Sequence, residues 1–236
     1  MLSFQEFFKA CAGFWTTERT YHLMLQKQIE RSYTEFQVDA LTLAQKQQIL
    51  APSQASGAGT GINFDLAQLM DDSERWPGFA IAFDTQSETG ETVAMSLKAL
   101  FIPDTYVTSH APVAPPPALP LAAQVAPAPE GEIIQGFYLR DQGYSEAGAI
   151  AGRFTYQITR QTLEMTTYYK RSVAVDQMRL ITPDLRLRTI VTYQRPQSST
   201  IEGEDQSNPE VNSSEPPSVI TLIGFGVEHK RATSKA

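Results

Sequence analysis

Short segments rich in β-branched and aromatic residues recur about every ten residues along most of this chain. This regular spacing limits the folds open to the chain more than any other feature of the sequence. One or two strands are expected between residues 14 and 37. The later predicted strands are residues 79–83, 92–102, 134–139, 149–158, 162–169, 172–181, 185–194 and 218–228. Turn residues separate them, and helices do not alternate with them. The pattern therefore predicts a mainly β protein, an antiparallel barrel or sandwich, and not a βαβ fold.

The N-terminus carries the signals of a short helix. Ser3 and Glu6 have the spacing of a capping box, in which each side chain accepts a hydrogen bond from the other residue's backbone amide. From Phe4 to Cys11 the apolar residues fall at i, i+3, i+4 and i+7, which places them on one helical face. Gly13 is expected to end this helix. The place of Cys11 on that face favours a buried small side chain over a nucleophile. A second short helix is expected over residues 41–50.

Two segments interrupt the strand rhythm. Residues 103–131 are rich in Pro and Ala, and three consecutive prolines at 115–117 exclude a central strand, so we expect an extended loop. Residues 196–217 are acidic and rich in Ser, Asn and Pro, which predicts a disordered loop. Each segment joins strands that the barrel needs. We therefore expect residues 1–236 to form a single domain.

Composition excludes several classes of protein. The net charge of −7 and the pI near 5.0 do not suit a nucleic-acid-binding surface, which needs clustered basic residues. One cysteine and three scattered histidines provide neither an internal disulfide nor a zinc-type ligand set, so we expect a cytoplasmic protein with no metal site. No apolar run approaches the roughly 18–20 residues that span a bilayer, so no membrane span is expected.

The last three predicted strands carry charged residues in an alternating pattern. Because successive side chains point to opposite faces of a strand, Asp176 shares a face with Met178, and Arg186 shares one with Arg188. Glu228 shares a face with two glycines. If these faces line a barrel interior, the charges must be paired or bound to a ligand, because a lone buried charge is costly. The leucines beside the arginines could equally face inward, so periodicity leaves both orientations open.

Four segments resemble the sequence signatures of the S/U-type phycobiliprotein (bilin) lyases, the CpcS/CpeS family. Residues 14–23 (FWTTERTYHL) resemble the Gly-x-Trp-x-Ser-Gln-Arg-Thr-x-His opening of that family. Residues 136–146 (GFYLRDQGYSE) resemble its Arg-Asp-x-Gly-Tyr segment, and residues 182–189 (TPDLRLRT) its Ser-Pro-Asn-Leu-Arg-x-Arg-Thr signature. Residues 226–231 (GVEHKR) correspond to its terminal Ser-Glu-Ile-Arg. The four segments occur in the family's order.

The resemblance implies a lipocalin-like antiparallel β-barrel of about ten strands with an N-terminal capping helix. It also implies an enzyme that binds a phycobilin, phycocyanobilin or phycoerythrobilin, and catalyses its thioether attachment to a cysteine of an apo-phycobiliprotein subunit. The acceptor would be a subunit of phycocyanin, allophycocyanin or phycoerythrin. The bilin is a substrate, and no cofactor of the enzyme's own is implied.

The resemblance also implies roles for individual residues. They are catalytic roles for Asp176 and Glu228 and chromophore-binding roles for Arg19, Arg186, Arg188 and Trp76. A bilin has two propionates and four ring nitrogens, and a guanidinium presents a planar fork to a carboxylate. Asp176 stands where the family has Glu, which shortens the side chain by one methylene. Trp76 would correspond to an aromatic residue on a mobile loop near the barrel opening.

Two other functions stay open at this point. The chain could be a non-catalytic bilin carrier, or a partner subunit of a heteromeric lyase that retains the barrel and its pocket. It could also be an unrelated lipocalin-like binder of another hydrophobic ligand, although a fatty acid would use only part of an arginine-rich and acid-bearing interior. The sequence leaves open a homodimer or a heterodimer with a related lyase subunit.

Overall fold

The structure, a computed structural model, describes residues 1–54, 61–72, 74–113, 115, 117–120, 124, 133–143, 148–195 and 219–232. In chain order the elements are α1 (Phe4–Cys11), β1 (Gly13–Leu23), β2 (Gln28–Ala40), α2 (Leu43–Gln54), β3 (Ile62–Phe64), α3 (Leu66–Asp71), β4 (Gly78–Ser87), β5 (Thr92–Pro103), a 3-10 helix (Asp104–Tyr106), β6 (Val107–His110), β7 (Ile133–Arg140), β8 (Ile150–Gln157), β9 (Thr162–Tyr168), β10 (Ser172–Thr182), β11 (Leu185–Gln194) and β12 (Ile220–Arg231).

Ten of these strands close into one barrel in the order β1-β12-β11-β10-β9-β8-β7-β5-β4-β2. Every neighbouring pair is antiparallel, and β1 closes the barrel by pairing with both β2 and β12. The predicted mainly β barrel of about ten strands is therefore confirmed. The two short strands β3 and β6 form a separate antiparallel pair.

Helix α1 closes one end of the barrel interior, which we call the lumen. Its capping box forms as predicted: the Ser3 amide donates to Glu6 Oε2 at 2.8 Å, and the Glu6 amide donates to Ser3 Oγ at 3.3 Å. The predicted apolar face of the helix is buried. The Phe4 ring stacks on Phe154 with centroids 5.4 Å apart, and Phe7 lies 4.9 Å from the ring of Tyr156. The helix is therefore the apolar plug of the barrel.

The barrel itself caps the C-terminal end of α1. Trp15 donates its indole N–H to the Cys11 carbonyl at 2.9 Å, and the Lys230 ammonium donates to the Ala10 carbonyl at 3.0 Å. These bonds pair carbonyls that a helix end otherwise leaves without partners. Gly13 makes the turn into β1 at φ +125°, and a Cβ there would lie 2.7 Å from Lys230 Cε. Only glycine suits that position.

A second apolar cluster covers the outside of the barrel at β5 and β7. Outward-facing side chains such as Leu100 and Phe137 pack there against residues of α2 and α3. The predicted helix over residues 41–50 corresponds to α2. The sequence did not predict α3 or the β3–β6 pair, which complete this cover. None of the helices in the described ranges is long and apolar enough to cross a membrane.

The first predicted loop begins later than expected. Instead of being loop from residue 103 onward, the chain forms the 3-10 helix and then β6, because β6 pairs with β3. Part of the Pro-rich stretch packs on the outer wall, where the Tyr193 hydroxyl donates to the Ala118 carbonyl at 3.0 Å. Leu119 packs there against the apolar cluster that contains Tyr193. Residues 125–131 lie outside the described residues, as does the whole of the predicted disordered loop 196–217.

Candidate functional site

Alternation along β10, β11 and β12 turns the four charged residues singled out above into the lumen. Met178, which shares the face of Asp176, belongs to the core cluster that contains α1. The Arg186 guanidinium lies 4.5 Å from the centroid of the Trp15 ring, and Glu228 is completely buried. The alternative that Arg186 and Arg188 lie on the outer face is therefore wrong.

Five charged side chains meet in the lumen and form what we call the luminal charge cluster: Arg19, Asp176, Arg186, Arg188 and Glu228. Glu228 is its centre. The Arg186 Nε donates to Glu228 Oε2, and the Arg19 Nη2 donates to Oε1 at 3.2 Å. The Arg188 Nη1 lies 3.9 Å from the same Oε1. One carboxylate thus holds three guanidinium groups together.

The protonation states of this centre follow from its geometry. Burial alone raises the pKa of Glu228, but Arg186, Arg188 and Arg19 outweigh it and hold that pKa below its ordinary value. Burial also opposes the charged form of Arg186, but the neighbouring Glu228 carboxylate raises the pKa of the guanidinium above its usual value. Glu228 therefore stays a carboxylate and Arg186 a cation, and their pairing makes burial of both charges tolerable.

Arg188 and Asp176 form a second, bidentate pair on adjacent strands. The Arg188 Nε donates to Asp176 Oδ1 at 2.8 Å, and its Nη2 donates to Oδ2. Met178 of β10 lies opposite Arg188 of β11. Asp176 lies two residues from Met178 on the same face of β10, within reach of the Arg188 guanidinium. Such parallel bonds fix the orientation of both groups as well as their separation.

Arg19 reaches the cluster from β1, across from Gly226 of β12. A Cβ at position 226 would lie 3.0 Å from Arg19 Cγ, so the glycine provides room for the arginine stem. Gly224 does the same for Tyr21, whose ring a Cβ would approach to 2.8 Å. The two glycines that share the Glu228 face thus allow longer side chains of β1 to lie across β12.

Exposure divides the cluster into a deep and an outer layer. The side chains of Arg186 and Glu228 are 2% and 0% exposed, whereas those of Arg188, Arg19 and Asp176 are 11%, 16% and 18% exposed. The deep layer borders the aromatic rings beside α1. A ligand entering from solvent would meet the outer layer first, so Asp176 is the accessible carboxylate of the cluster and Glu228 the inaccessible one.

Sequence reasoning gave no role to two pairs of polar residues at another part of the lumen. Arg140 is buried and donates through Nη2 to the Tyr169 hydroxyl at 2.7 Å. The Tyr138 hydroxyl contacts Thr167 Oγ1, and burial raises the pKa of Tyr138 well above its ordinary value. Strand alternation could have found Tyr138 and Arg140, because they share the face of Gly136 within a motif already singled out.

The structure does not bring Trp76 to the luminal charge cluster. Trp76 is completely buried in the apolar cluster outside the barrel, where its indole N–H donates to the Leu69 carbonyl at 2.6 Å. The Lys46 ammonium lies 4.6 Å from the ring centroid and donates to the Trp76 carbonyl at 3.0 Å. This position differs from that expected for an aromatic residue on a loop beside the barrel opening.

The outer wall carries a depression of about 580 Å³ over β1, β2, β11 and β12. Its lining consists mainly of outward-facing side chains, among them Thr16, Leu187 and Phe225, and Arg188 also borders it. The other four members of the luminal charge cluster do not line it. We therefore place the candidate site in the lumen, where the charges converge.

Comparison with known proteins gives consistent matches. Residues 3–108 and 122–203 match the model of the family described as CpeS-like protein. The chain is 34% identical over 227 residues to Chromophore lyase CpcS/CpeS 1 of Synechococcus sp. (strain JA-3-3Ab), covering 96% of each chain. It is 27% identical over 193 residues to Chromophore lyase CpcS/CpeS 2 of Synechocystis sp. (strain ATCC 27184 / PCC 6803 / Kazusa), covering 78% of this chain and 77% of that one.

A solved structure shares the fold. The S-type phycobiliprotein lyase CPES from Guillardia theta superposes with a TM-score of 0.55 at 16% identity, covering 99% of this chain and 95% of that chain. At this sequence identity the match supports a shared barrel architecture and nothing further. The family match covers most of the barrel, and the Synechococcus relative aligns over nearly the full length of both chains. This chain therefore belongs to the CpeS-like family, the CpcS/CpeS chromophore lyases.

Proposed function

We propose that this protein is a phycobiliprotein chromophore lyase, which binds a phycobilin in its lumen and catalyses thioether attachment to a cysteine of an apo-phycobiliprotein subunit. The observation that carries the proposal is the luminal charge cluster, which gathers Arg186, Arg188 and Glu228 from the segments that resemble the family signatures. The 34% identity to a chromophore lyase supports the same activity.

The cluster suits the polar groups of a bilin. Arginine donors match propionate oxygens, and each hydrogen bond to a charged group contributes about 1.5–3 kcal/mol. Carboxylate oxygens match pyrrole N–H groups, and Asp176 is the accessible carboxylate. The proposed chromophore-binding residues are accordingly Arg19, Arg186 and Arg188. Trp76 is not included, because it packs outside the barrel.

The reaction needs one proton transfer and no group of the lyase as nucleophile. The acceptor thiol adds to the A-ring ethylidene double bond, so that a C–S bond forms, the π bond breaks, and the thiol proton ends on the bilin. Asp176 is placed to hold the protonated pyrrole system and to relay that proton. Glu228 stays ionised among three guanidinium groups, so its part is to position Arg19, Arg186 and Arg188.

The finer assignments are also part of the proposal. The bilin is phycocyanobilin or phycoerythrobilin, and the acceptor is a subunit of phycocyanin, allophycocyanin or phycoerythrin. Residues 1–236 act as one domain in the cytoplasm, in keeping with a free and buried Cys11. A homodimer, or a heterodimer with a related lyase subunit, is compatible with the exposed apolar side chains of the outer wall, Phe225 and Val227 among them.

One observation favours a second candidate, a bilin carrier or partner subunit without catalysis of its own. Asp176 is shorter than the glutamate of the resembling family, and both of its oxygens are engaged by Arg188. Arg188 therefore competes with a bilin for both oxygens of this carboxylate. The carrier would retain bilin binding and lose acceleration of the attachment step.

The experiment is co-incubation of the purified protein with phycocyanobilin and an apo-phycocyanin β-subunit, followed by denaturation in acid urea. We expect the colour to stay on the acceptor with the absorbance of the native adduct, well above a control without the protein. Arg188→Leu should abolish this enhancement, whereas Arg179→Leu, an exposed arginine of β10, should not. Tight bilin binding without enhancement would favour the carrier. Failure of the wild-type chain to bind the bilin would refute both functions.

A further inference from the structure

Two hydrogen-bond donors that share the lumen have no partner among the described residues. They are the Arg19 Nε and the Ser32 Oγ, and both atoms are buried. Ser32 as a residue is 7% exposed. A buried donor without an acceptor is uncommon and costly in a native protein, so each such group needs an explanation. Two of them in one place point to an acceptor that the described part of the chain does not provide.

The two residues lie directly opposite each other on adjacent strands. Arg19 of β1 is the register partner of Ser32 of β2, and residues paired in this way have Cβ atoms about 4.5–5.5 Å apart. Both face the lumen. Ser32 shares its face with Phe36, which packs against Trp15 in the core, while the intervening Tyr33 is exposed on the outer wall.

The charge balance at this place favours an anion. The luminal charge cluster contains three guanidinium groups and two carboxylates, which leaves a formal surplus of one positive charge. Arg186 and Arg188 each hold a carboxylate through Nε, whereas Arg19 reaches Glu228 only through Nη2. The surplus charge and the unused donor therefore coincide at Arg19.

Arg19 is also the member of the cluster best able to adjust. Its contacts are long, 3.2 Å to Glu228 Oε1 and 3.5 Å to the Tyr21 hydroxyl, and its side chain is 16% exposed. A shift of the guanidinium would open the two buried donors to an incoming group, and a serine hydroxyl can rotate to meet it. One carboxylate could then accept from Arg19 Nε with one oxygen and from Ser32 Oγ with the other.

We infer that Arg19 and Ser32 form a carboxylate subsite on the β1–β2 side of the lumen. The inference rests on the proposed function, and the carboxylate that it assigns to this subsite is one propionate of the bilin. In this proposal that propionate is bound by Arg19 and not by Arg186 or Arg188, because the guanidinium groups of those two residues already pair with Glu228 and Asp176. Ser32 then becomes a binding residue that pairs with the Nε of Arg19.

The test compares two probes, phycocyanobilin and its dimethyl ester, whose propionates carry no charge. Dissociation constants are measured by absorbance titration for the wild-type chain, Ser32→Ala, Arg19→Lys and Thr16→Val. Thr16→Val is the control on the outer face of β1, because it removes a hydroxyl that accepts from Arg231 Nε at 3.0 Å and does not face the lumen. Arg19→Lys keeps the positive charge and removes the Nε donor.

We expect Ser32→Ala and Arg19→Lys to raise the dissociation constant for the free acid about tenfold, which corresponds to the loss of one charge-assisted bond. Binding of the dimethyl ester should change by less than about twofold, which also shows that the variants fold. Thr16→Val should match the wild type with both probes. Equal effects of Ser32→Ala on both probes, or none on either, would overturn the subsite while leaving the function intact. A wild-type chain that binds neither probe would overturn the function as well.

Discussion

The two regions of the lumen bury side chains of opposite character. The region beside α1 contains stacked rings such as Phe4 and Phe154, and its burial contributes stability at no electrostatic cost. The region reached by β10, β11 and β12 buries charges, with Glu228 completely enclosed by arginines. A buried ion pair is often no more stabilising than apolar residues of the same volume. We therefore attribute the first region to folding and propose ligand binding as the reason for the second.

The boundary between the two regions is the Arg186 side chain. Its guanidinium lies over the rings of Trp15 and Phe36 at 4.5 and 5.6 Å, while its Nε is bonded to Glu228. A cation over an aromatic face is attracted by the ring quadrupole, and desolvation strengthens this attraction. The apolar plug thus provides a wall against which the charge cluster is held, and the two regions depend on each other.

The largest expected effect tests whether the charged region depends on its central carboxylate. Glu228→Gln leaves Arg186 buried without a counter-charge, so the free energy of unfolding should fall by about 3–5 kcal/mol. The measurement is urea unfolding at neutral pH. Glu18→Gln, an exposed residue on the opposite face of β1, should stay within about 0.5 kcal/mol of the wild type. A small effect of Glu228→Gln would mean that the arginines are not held as the structure places them.

The same carboxylate makes stability depend on pH. Because the pKa of Glu228 is lower in the folded chain than its ordinary value of 4.5, its contribution is complete above that value. The contribution is lost as the pH falls through the lower, folded pKa. We expect the wild type to lose more stability than Glu228→Gln between neutral and acidic pH. Parallel pH profiles of the two proteins would contradict the assignment.

A smaller effect is expected on catalysis at the accessible carboxylate. Asp176→Asn should slow bilin attachment about 100-fold, because general acid–base catalysis contributes on the order of 10²–10⁴ in rate. Bilin binding should weaken much less, and Asp176→Glu should retain attachment because it keeps the carboxylate. The measurement is the initial rate of adduct formation on the acceptor. Asp184→Asn, in the exposed turn before β11, is the matched control. An unchanged rate in Asp176→Asn would remove this residue from the catalytic step.

In the apolar region, we expect a substitution to lower the stability of the fold and to leave the affinity for the bilin unchanged. Phe7→Leu removes part of a completely buried ring that contacts Tyr156, so the free energy of unfolding should fall by about 2 kcal/mol. The affinity for phycocyanobilin should stay within about twofold at a temperature where the variant is folded. Phe225→Leu, which shortens a ring that is 47% exposed, should change neither property. Weaker bilin binding by Phe7→Leu would show that the bilin reaches the plug.

Much of the fold could be predicted because its signals are local. The capping box of Ser3 and Glu6 and the apolar face of α1 lie within one helix, and strand alternation spans whole strands. The sequence did not predict α3 or the β3–β6 pair on the outer wall, because their structure depends on contacts between distant residues. Helix α3 has six residues and β3 has three, too few for a period to be read from the sequence. Tertiary contacts, such as that of Leu69 with Trp76, decide their structure.

The candidate site was predictable in composition but not in orientation. Arg186 and Arg188 stand between leucines, so alternation alone could not decide which set faces the lumen. The pairings of Arg188 with Asp176 and of Arg186 with Glu228 decide it, and they arise from the register between strands. No pattern in the sequence singled out Ser32, because its proposed role depends on its position opposite Arg19 on the neighbouring strand.

The smallest expected effect concerns Trp76, where the family resemblance and the structure point in different directions. Trp76→Phe removes the hydrogen bond to the Leu69 carbonyl and some buried surface outside the barrel, so the free energy of unfolding should fall by about 1 kcal/mol. If the ring acts only in this outer cluster, the affinity for phycocyanobilin should stay within about twofold. Titration with the bilin and urea unfolding of the same preparation separate the two effects. A tenfold loss of affinity at nearly unchanged stability would instead place Trp76 against the bilin. The segment around it would then have to move when the ligand enters, and the division between the lumen and the outer wall would not hold in the complex with the bilin.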